Sequence, residues 1–470
     1  MYTGRIKSVT LPTGATITYN YSGGTNGNGV WCDDGSAATI TKTTPDGTWT
    51  FTHCEYGLAT TNAPTTCNTT APSGWSTNHL ATTTVTAPSG DYKIYSTISY
   101  VPSDPAKKVV LPLQEQSLGV NGPGCSISSP CNLGSQAICY SGDLSYPACL
   151  NPSSVPSGAI TEHDVYTSVP GVANPALTVY KADSYERTTD VFVYDFGGTR
   201  TGTNWDTHTM SAYGSWNGSS CSTVNGSIGG TSYPVMNRVC SKQLFVGGGT
   251  TAVSTSYFTY SPTGDLITHQ DTIGGKLVTT ASNQYDNFGR LTSSTGPNGE
   301  KTATAYGQCS GQEPSSTTVT TSSAASLTTN YQYYDCTGER LLQKQDPNGN
   351  NWYTSYIGDP FWRPTSTTDP MGNVANYTYT KTTKEVKQTV VSGSVQDTLT
   401  QVDSMGRQQL TEVNLENGNY SITATTYDSN GRVKSQTVPY TARGWSAQPW
   451  DLGFKQLNSL RPACLGKGQY

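Results

Sequence analysis

Tyr285-Asp286-Asn287-Phe288-Gly289-Arg290-Leu291, followed by Pro297-Asn298-Gly299, is the stretch whose reading decides the fold. The chain repeats it. Tyr427-Asp428-Ser429-Asn430-Gly431-Arg432-Val433 keeps the first half, and Tyr334-Asp335-Cys336-Thr337-Gly338-Glu339-Arg340-Leu341 inserts one residue before reaching Asp346-Pro347-Asn348-Gly349. Val402-Asp403-Ser404-Met405-Gly406-Arg407 and Tyr260-Ser261-Pro262-Thr263-Gly264-Asp265-Leu266 are weaker copies. Asp403 and Asp428 stand 25 positions apart, as do Gly264 and Gly289. A unit of that length is two strands and two turns. Such units stack on their neighbours, which favours a long β structure over a pocketed enzyme.

The sequence between the copies agrees. Thr16-Ile17-Thr18-Tyr19-Asn20-Tyr21, Tyr92-Lys93-Ile94-Tyr95-Ser96-Thr97-Ile98 and Tyr420-Ser421-Ile422-Thr423-Ala424-Thr425 alternate polar with apolar, as half-buried strands do. Turns of one kind separate the strands: Pro12-Thr13-Gly14, Pro45-Asp46-Gly47, Pro88-Ser89-Gly90, Pro262-Thr263-Gly264 and Pro347-Asn348-Gly349. Proline presets φ and glycine accepts positive φ, so Pro-x-Gly closes a hairpin. Charged residues make up 13% of the 470, against a typical ~25%. Thr, Ser, Asn, Gly and Tyr take their place and give little support to helix. The expected class is all-β: repetitive antiparallel hairpins forming an extended or spiralling sheet, pinned by disulfides.

A net charge of −5 argues against binding a phosphate backbone, so no nucleic-acid partner is expected. No apolar run is long enough to span a membrane as a helix. Met1-Tyr2-Thr3-Gly4-Arg5-Ile6 has no signal-peptide character and reads as the second half of a repeat, so an internal or processed piece of a longer secreted protein is expected.

Twelve cysteines without a Cys-x-x-Cys pair point to disulfides in an oxidising compartment, not zinc. Cys125 and Cys131 bracket a short loop, and Cys139 and Cys149 another. Cys221/Cys240 and Cys309/Cys336 each flank a hairpin, Cys32/Cys54 are a further candidate pair, and Cys67 and Cys464 remain. Sequence alone does not establish these pairings. Asn20, Asn68, Asn217, Asn225, Asn376 and Asn419 head Asn-x-Ser/Thr sequons and are candidate glycosylation sites.

Five regions follow from these signals. Residues 1–115 hold hairpins with Pro-x-Gly turns. Residues 116–160 read as a Cys/Gly/Pro-rich insertion with little periodicity. Residues 161–254 return to strands, and 255–443 hold the repeats. Residues 444–470, with Trp445, Trp450 and Phe454, break the pattern as a capping or contact segment.

The Tyr-Asp-x-x-Gly-Arg phrase with its following Pro-x-Gly resembles the YD repeat of bacterial rearrangement-hotspot (RHS) proteins, a repeat also carried by teneurins and by shell components of bacterial toxin complexes. The resemblance is specific over about 255–440 and looser over 1–100. It implies a strip of antiparallel hairpins that in the family spirals into a hollow shell, enclosing an effector in toxin-bearing members. In that motif, Tyr285, Tyr334 and Tyr427 would pack between stacked hairpins. Asp286, Asp335 and Asp428 would bond turn N–H groups, Gly289, Gly338 and Gly431 would permit the bend, and Arg290 and Arg432 would pair or stack along a neighbouring strand. The chain departs from toxin-bearing members in two ways: ordinary repeat sequence follows Asp369-Pro370-Met371-Gly372 where a self-cleaving site would stand, and no distinct effector sequence follows the repeats.

No catalytic, cofactor or metal site is expected. Gly307-Gln308-Cys309-Ser310-Gly311 has the outline of a nucleophile elbow, but no helix follows and Cys309 has a disulfide candidate in Cys336. Asp346 opens a calcium-like loop whose twelfth position is Ile357 in place of Glu, so it reads as a turn. The histidines lie too far apart in sequence to suggest a metal site. The first expectation is therefore a non-enzymatic extracellular structural protein of a bacterial surface: a filament, coat or adhesive fibre subunit. Head-to-tail self-association would run from about Tyr2–Tyr21 to about Trp445–Tyr470 of the next copy. A fragment of an RHS shell that encloses or delivers a toxin is the alternative. A carbohydrate-binding β protein with surface glycans as partners is a second alternative.

Overall fold

The structure, a computed structural model, describes residues 5–23, 38–55, 80–100, 109–141, 143–150, 159–200, 203–228, 231–389, 393, 395–415 and 418–443. Cys32, Cys67, Cys464, Asn68, Tyr2 and the whole of 444–470 lie outside the described residues, and with them the contact expected between chain ends. The chain divides into two compact units: Met1–Tyr19 with Lys42–Thr48 and Tyr333–Tyr470, and Asn20–Thr41 with Trp49–Gln332. Both are antiparallel β. Short 3-10 turns, Ala148–Leu150 and Cys309–Gly311, interrupt the strands and loops. No helix among the described residues is long and apolar enough to cross a membrane.

In the larger unit strands pair in sequence order, except that the short hairpins Ser215–Trp216/Cys221–Ser222 and Asn225–Ile228/Thr231–Pro234 stand aside between Thr207–Tyr213 and Val239–Val246. The ladder runs from Leu80–Thr86 through Tyr92–Tyr100, Val109–Gly119, Cys131–Tyr140, Glu162–Ser168 and Ala176–Ala182. It continues by Thr188–Tyr194, Thr207–Tyr213, Val239–Val246, Ser254–Tyr260, Leu266–Ile273 and Lys276–Tyr285. The smaller unit repeats this scheme from Arg340–Gln345 to Asn419–Tyr427, and Val433–Gln436 and Tyr440–Arg443 both pair with that last strand. Consecutive pairing is the expected result of short polar turns between strands of alternating sequence.

The segment 116–160 is more regular than an insertion. Cys131–Tyr140 is a full rung, paired on one side with Val109–Gly119 and on the other with Glu162–Ser168. Its periodicity is hidden because exposed Leu133 faces outward and small residues fill several inward positions. Cys125–Cys131 pins the turn before this rung and Cys139–Cys149 the turn after it. Cys221–Cys240 spans the side hairpin Asn225–Ile228/Thr231–Pro234, and Cys54, Cys309 and Cys336 are also disulfide-bonded.

Apolar cores are small. Ile98, Leu111 and Leu113 form one and Leu177, Val179, Tyr194 and Trp205 a second, both in the larger unit. Leu410, Tyr420, Ile422 and Ala424 form one in the smaller. With so little buried hydrocarbon, polar contacts at the turns carry much of the specificity of the register.

Candidate functional site: the aspartate–arginine clasp

Three copies of the repeat, at Asp286, Asp403 and Asp428, close into the same device. Asp286 Oδ1 accepts the backbone N–H of Phe288 (2.9 Å) and of Arg290 (3.0 Å), and its Oδ2 accepts Arg290 Nε at 2.7 Å. Asp403 does the same with Met405, Arg407 and the Arg407 Nε, at 3.0, 2.9 and 2.8 Å. Asp428 repeats it with Asn430, Arg432 and the Arg432 Nε, at 2.9 Å each. An aspartate reaches its own backbone two residues on, which is why it opens the turn. Its second oxygen is then aimed at the guanidinium, making a charge-assisted bond. Glycine supplies the left-handed residue: φ is 76° at Gly289, 83° at Gly406 and 78° at Gly431.

The aligned tyrosine completes the unit. Tyr285 Oη donates to Leu266 O at 3.1 Å and Tyr427 Oη to Gln408 O at 2.8 Å, each the first strand residue after the preceding turn. The guanidinium of that preceding turn lies beneath the ring where there is one: Arg407 Cζ is 4.3 Å from the Tyr427 centroid, and Arg290 Cζ is 4.1 Å from Tyr306. A bulge aims these tyrosines. The register shifts between Thr259 and Tyr260, Gln284 and Tyr285, and Thr426 and Tyr427, because the partner strand holds one extra residue there.

Tyr334-Asp335 departs in one respect. The inserted residue moves the left-handed position from Gly338 to Glu339, at φ 50°. Gly338 has another use: a Cβ there would stand 2.6 Å from Arg340 Nε, so its absence lets the guanidinium lie over the turn and reach Asp335. Two further clasps escaped sequence reading. Asp183 binds the N–H groups of Tyr185 and Arg187 and the Arg187 Nε, at 2.9, 3.1 and 2.7 Å. Asp359 binds those of Phe361 and Arg363, at 2.9 and 3.0 Å, with Arg363 Nη2 at 2.7 Å. Their left-handed residues are Glu186 (φ 60°) and Trp362 (φ 58°). The signal was an Asp four before an Arg with an aromatic residue two before that Arg, shared by Tyr185, Phe288 and Phe361. Asp346 and Asp369 close the intervening turns, with Asn350 and Asn373 in the arginine position.

One clasp reaches much farther. In the smaller unit, Arg407 Nη1 and Nη2 each lie 2.8 Å from a carboxylate oxygen of Asp46, in the Pro-x-Gly turn of the N-terminal region. Beside it the Ala15 N–H donates to Ser404 O at 3.2 Å, and the Thr13 hydroxyl donates to the same carbonyl.

Electrostatics follow placement. Arg290 holds the Asp286 carboxyl below its usual range, and Arg363 brings Asp359 down to about 2. Burial does the opposite elsewhere. Asp164 is fully buried and pushed up to about 6, although Arg200 Nε stands 3.0 Å away and pulls it down. Glu412, 1% exposed, is raised by burial as well.

Among the described residues no three His, Cys, Asp or Glu side chains gather as metal ligands would. Three histidines sit in aromatic stacks: His163 lies 4.7 Å from Tyr180, His208 lies 3.8 Å from Phe192 with Nε2 2.9 Å from Asp190, and His269 lies 4.6 Å from Phe258. Cys309 is in a disulfide and follows no strand-to-helix turn. A hollow of 610 Å³ in the smaller unit is lined by Tyr333, Tyr353, Tyr356, Gln343, Ser355 and Thr368, among others. Asn20, Asn217, Asn225 and Asn376 are exposed, and Asn419 is half-buried.

No protein-family profile matches the sequence, and no curated protein sequence matches it. Solved structures do resemble it. The crystal structure of TcdB2-TccC3 superposes with a TM-score of 0.56 at 10% identity, covering 92% of this chain and 31% of that one. That of TcdB2-TccC3-Cdc42 gives 0.57 at 9% identity, covering 92% and 33%. This chain thus spans about a third of the length of those structures. Over nearly all of its length, the chain shares its fold with part of TcdB2-TccC3.

Proposed function

We propose that this chain is a stretch of shell wall: a non-enzymatic, extracellular YD-repeat strip of the kind from which toxin-enclosing shells are built. The observation that carries this reading is the likeness in fold to TcdB2-TccC3 over 92% of the chain. The clasps support it, because each locks a turn and presents its arginine to the next hairpin. The docking of Thr13, Ala15 and Asp46 on the turn 403–407 supports it too, since a coiled strip needs turns remote in sequence to meet. Disulfides fit assembly in an oxidising compartment. The fibre, coat or adhesin reading has no comparable structural support. Electron microscopy of the full-length gene product, with protease challenge, tests the proposal. Closed particles that protect an enclosed polypeptide are expected, and open filaments that protect nothing would overturn it.

A second reading, carbohydrate binding, rests on the hollow, where Tyr333 and Tyr353 expose their rings beside the Ser355 and Thr368 hydroxyls. A glycan array on wild type and Tyr353→Ala decides it: binding lost in the variant supports this reading, and no binding by either removes it.

A further inference from the structure

One carboxylate in the smaller unit has no partner that explains it. Glu412 is 1% exposed, makes no ion pair among the described residues, and leaves its Oε2 without a hydrogen bond. It stands between Leu399 and Ile422 of the neighbouring strands, on the face that carries the apolar core of Leu410, Tyr420, Ile422 and Ala424. A second buried carboxylate is close by. Asp397 is 6% exposed with Oδ1 unbonded, and it lies two residues from Leu399 on the same strand and face, diagonal to Glu412. Opposite Asp397, across the ladder Thr383–Thr389/Val395–Val402, stands Lys387, exposed and without an ion pair among the described residues. Burial raises both carboxyl groups, so each holds its proton more readily than in water. Unpaired buried carboxyls cost stability and call for a reason.

We propose that Lys387 and Asp397 join through an amide bond between their side chains, formed by the folded chain itself with Glu412 as the acid–base group. The three residues supply what that condensation needs. An amine and a carboxyl stand as a directly opposed pair, Cβ atoms about 4.5–5.5 Å apart, and a third group lies on the diagonal, within reach of a long side chain. A surface lysine is mostly protonated, but holding it against its target makes the reaction intramolecular, with effective molarities of up to about 10⁵–10⁸ M. The lone pair of Lys387 Nζ forms the bond to Asp397 Cγ, and one Cγ–O bond of Asp397 breaks. Glu412 gives a proton to the departing hydroxyl and recovers one from the amine. Water leaves, and no oxidant or cofactor enters. The apolar surroundings serve twice: they keep Asp397 neutral and open to attack, and they keep on Glu412 the proton it must give. The product is a covalent rung in the unit that the bridges Cys125–Cys131, Cys139–Cys149 and Cys221–Cys240 do not reach.

In the test, the full chain is purified, reduced and denatured, then weighed by mass spectrometry and mapped with trypsin. The expected result is a mass one water below the sequence value. The peptide Glu385–Arg407 should be uncut after Lys387, with its fragments locating the link at Lys387 and Asp397. Asp397→Asn should lose ammonia in place of water, and Lys387→Arg should lose neither. Glu412→Gln, which keeps the side-chain volume, should be largely unlinked where the wild type is complete. A wild-type mass equal to the sequence value with cleavage after Lys387, or a water loss that persists in Lys387→Arg, would overturn the proposal. A fully linked Glu412→Gln chain would overturn the part assigned to Glu412.

Discussion

The turns Asp403–Arg407 and Asp428–Arg432 differ by one residue in five, Met405 against Asn430, and are internally the same to within 0.1 Å. Outside the turn they part company. The Arg407 side chain is 24% exposed, with Asp46 bound by both terminal nitrogens and Tyr427 stacked above. Arg432 is 70% exposed. The clasp is therefore an autonomous local structure, specified by five residues. What it is worth depends on what the rest of the chain brings to its arginine.

The largest effect should separate these two arginines. Arg407→Ala strands Asp46 and Asp403 in a part-buried site and is expected to cost about 2–3 kcal/mol, at the low end for truncating a hydrogen-bonded charge pair. Arg432→Ala should cost no more than about 1 kcal/mol, the range of an exposed pair. Urea unfolding of the two variants decides the matter, and equal losses would break the comparison. A double-mutant cycle with Asp46→Ala sharpens it, because coupling should be found with Arg407 and not with Arg432.

A second contrast sets clasp carboxylates against buried ones. Asp359 titrates lower folded than unfolded, so its contribution is present above about pH 4 and is lost as pH falls toward about 2. Asp164 titrates higher folded than unfolded. Its contribution is full below about pH 4 and is lost as pH rises through about 6. For Asp164 the two-unit difference corresponds to roughly 3 kcal/mol. Asp164→Asn should remove that part of the slope between pH 4 and 7, leaving the acid limb below pH 4 in place. An unchanged slope in chemical-denaturation titrations would show that Asp164 is ionised throughout.

The same contrast shows how much of the molecule was legible in the sequence. Strand alternation and Pro-x-Gly turns announced the all-β ladder, and Tyr285 to Arg290 announced the clasp, because both are encoded within a few residues. Asp183–Arg187 and Asp359–Arg363 were missed because Glu186 and Trp362 stand where a glycine was sought. Asp46 could not be matched to Arg407 at all: 361 residues separate them, and no periodicity connects them. The rung Cys131–Tyr140 was hidden by its small residues and its two pinned turns. Local chemistry reads from sequence, whereas the identity of a remote partner requires the folded strip.

The smallest expected effect tests whether glycine matters to the clasp itself or only to its backbone. Gly406 is left-handed, and a Cβ there meets only the Thr13 methyl at 3.9 Å, an ordinary contact. Gly406→Ala should therefore cost about 1 kcal/mol from φ alone. Glu339 is the converse. It holds φ 50° on an exposed turn, so Glu339→Gly relieves left-handed strain of about 1–2 kcal/mol while making the unfolded chain more flexible by about 0.5–1 kcal/mol. The net expectation is a gain of about 0.5 kcal/mol. Glu186 makes a poorer test, because its carboxylate accepts the Ile160 N–H at 2.9 Å and the substitution would remove that bond. Thermal unfolding of the Gly406 and Glu339 variants should shift in opposite directions. Shifts of the same sign would mean that the turn glycines serve packing between hairpins, as Gly338 serves Arg340, and that backbone conformation is not what selects them.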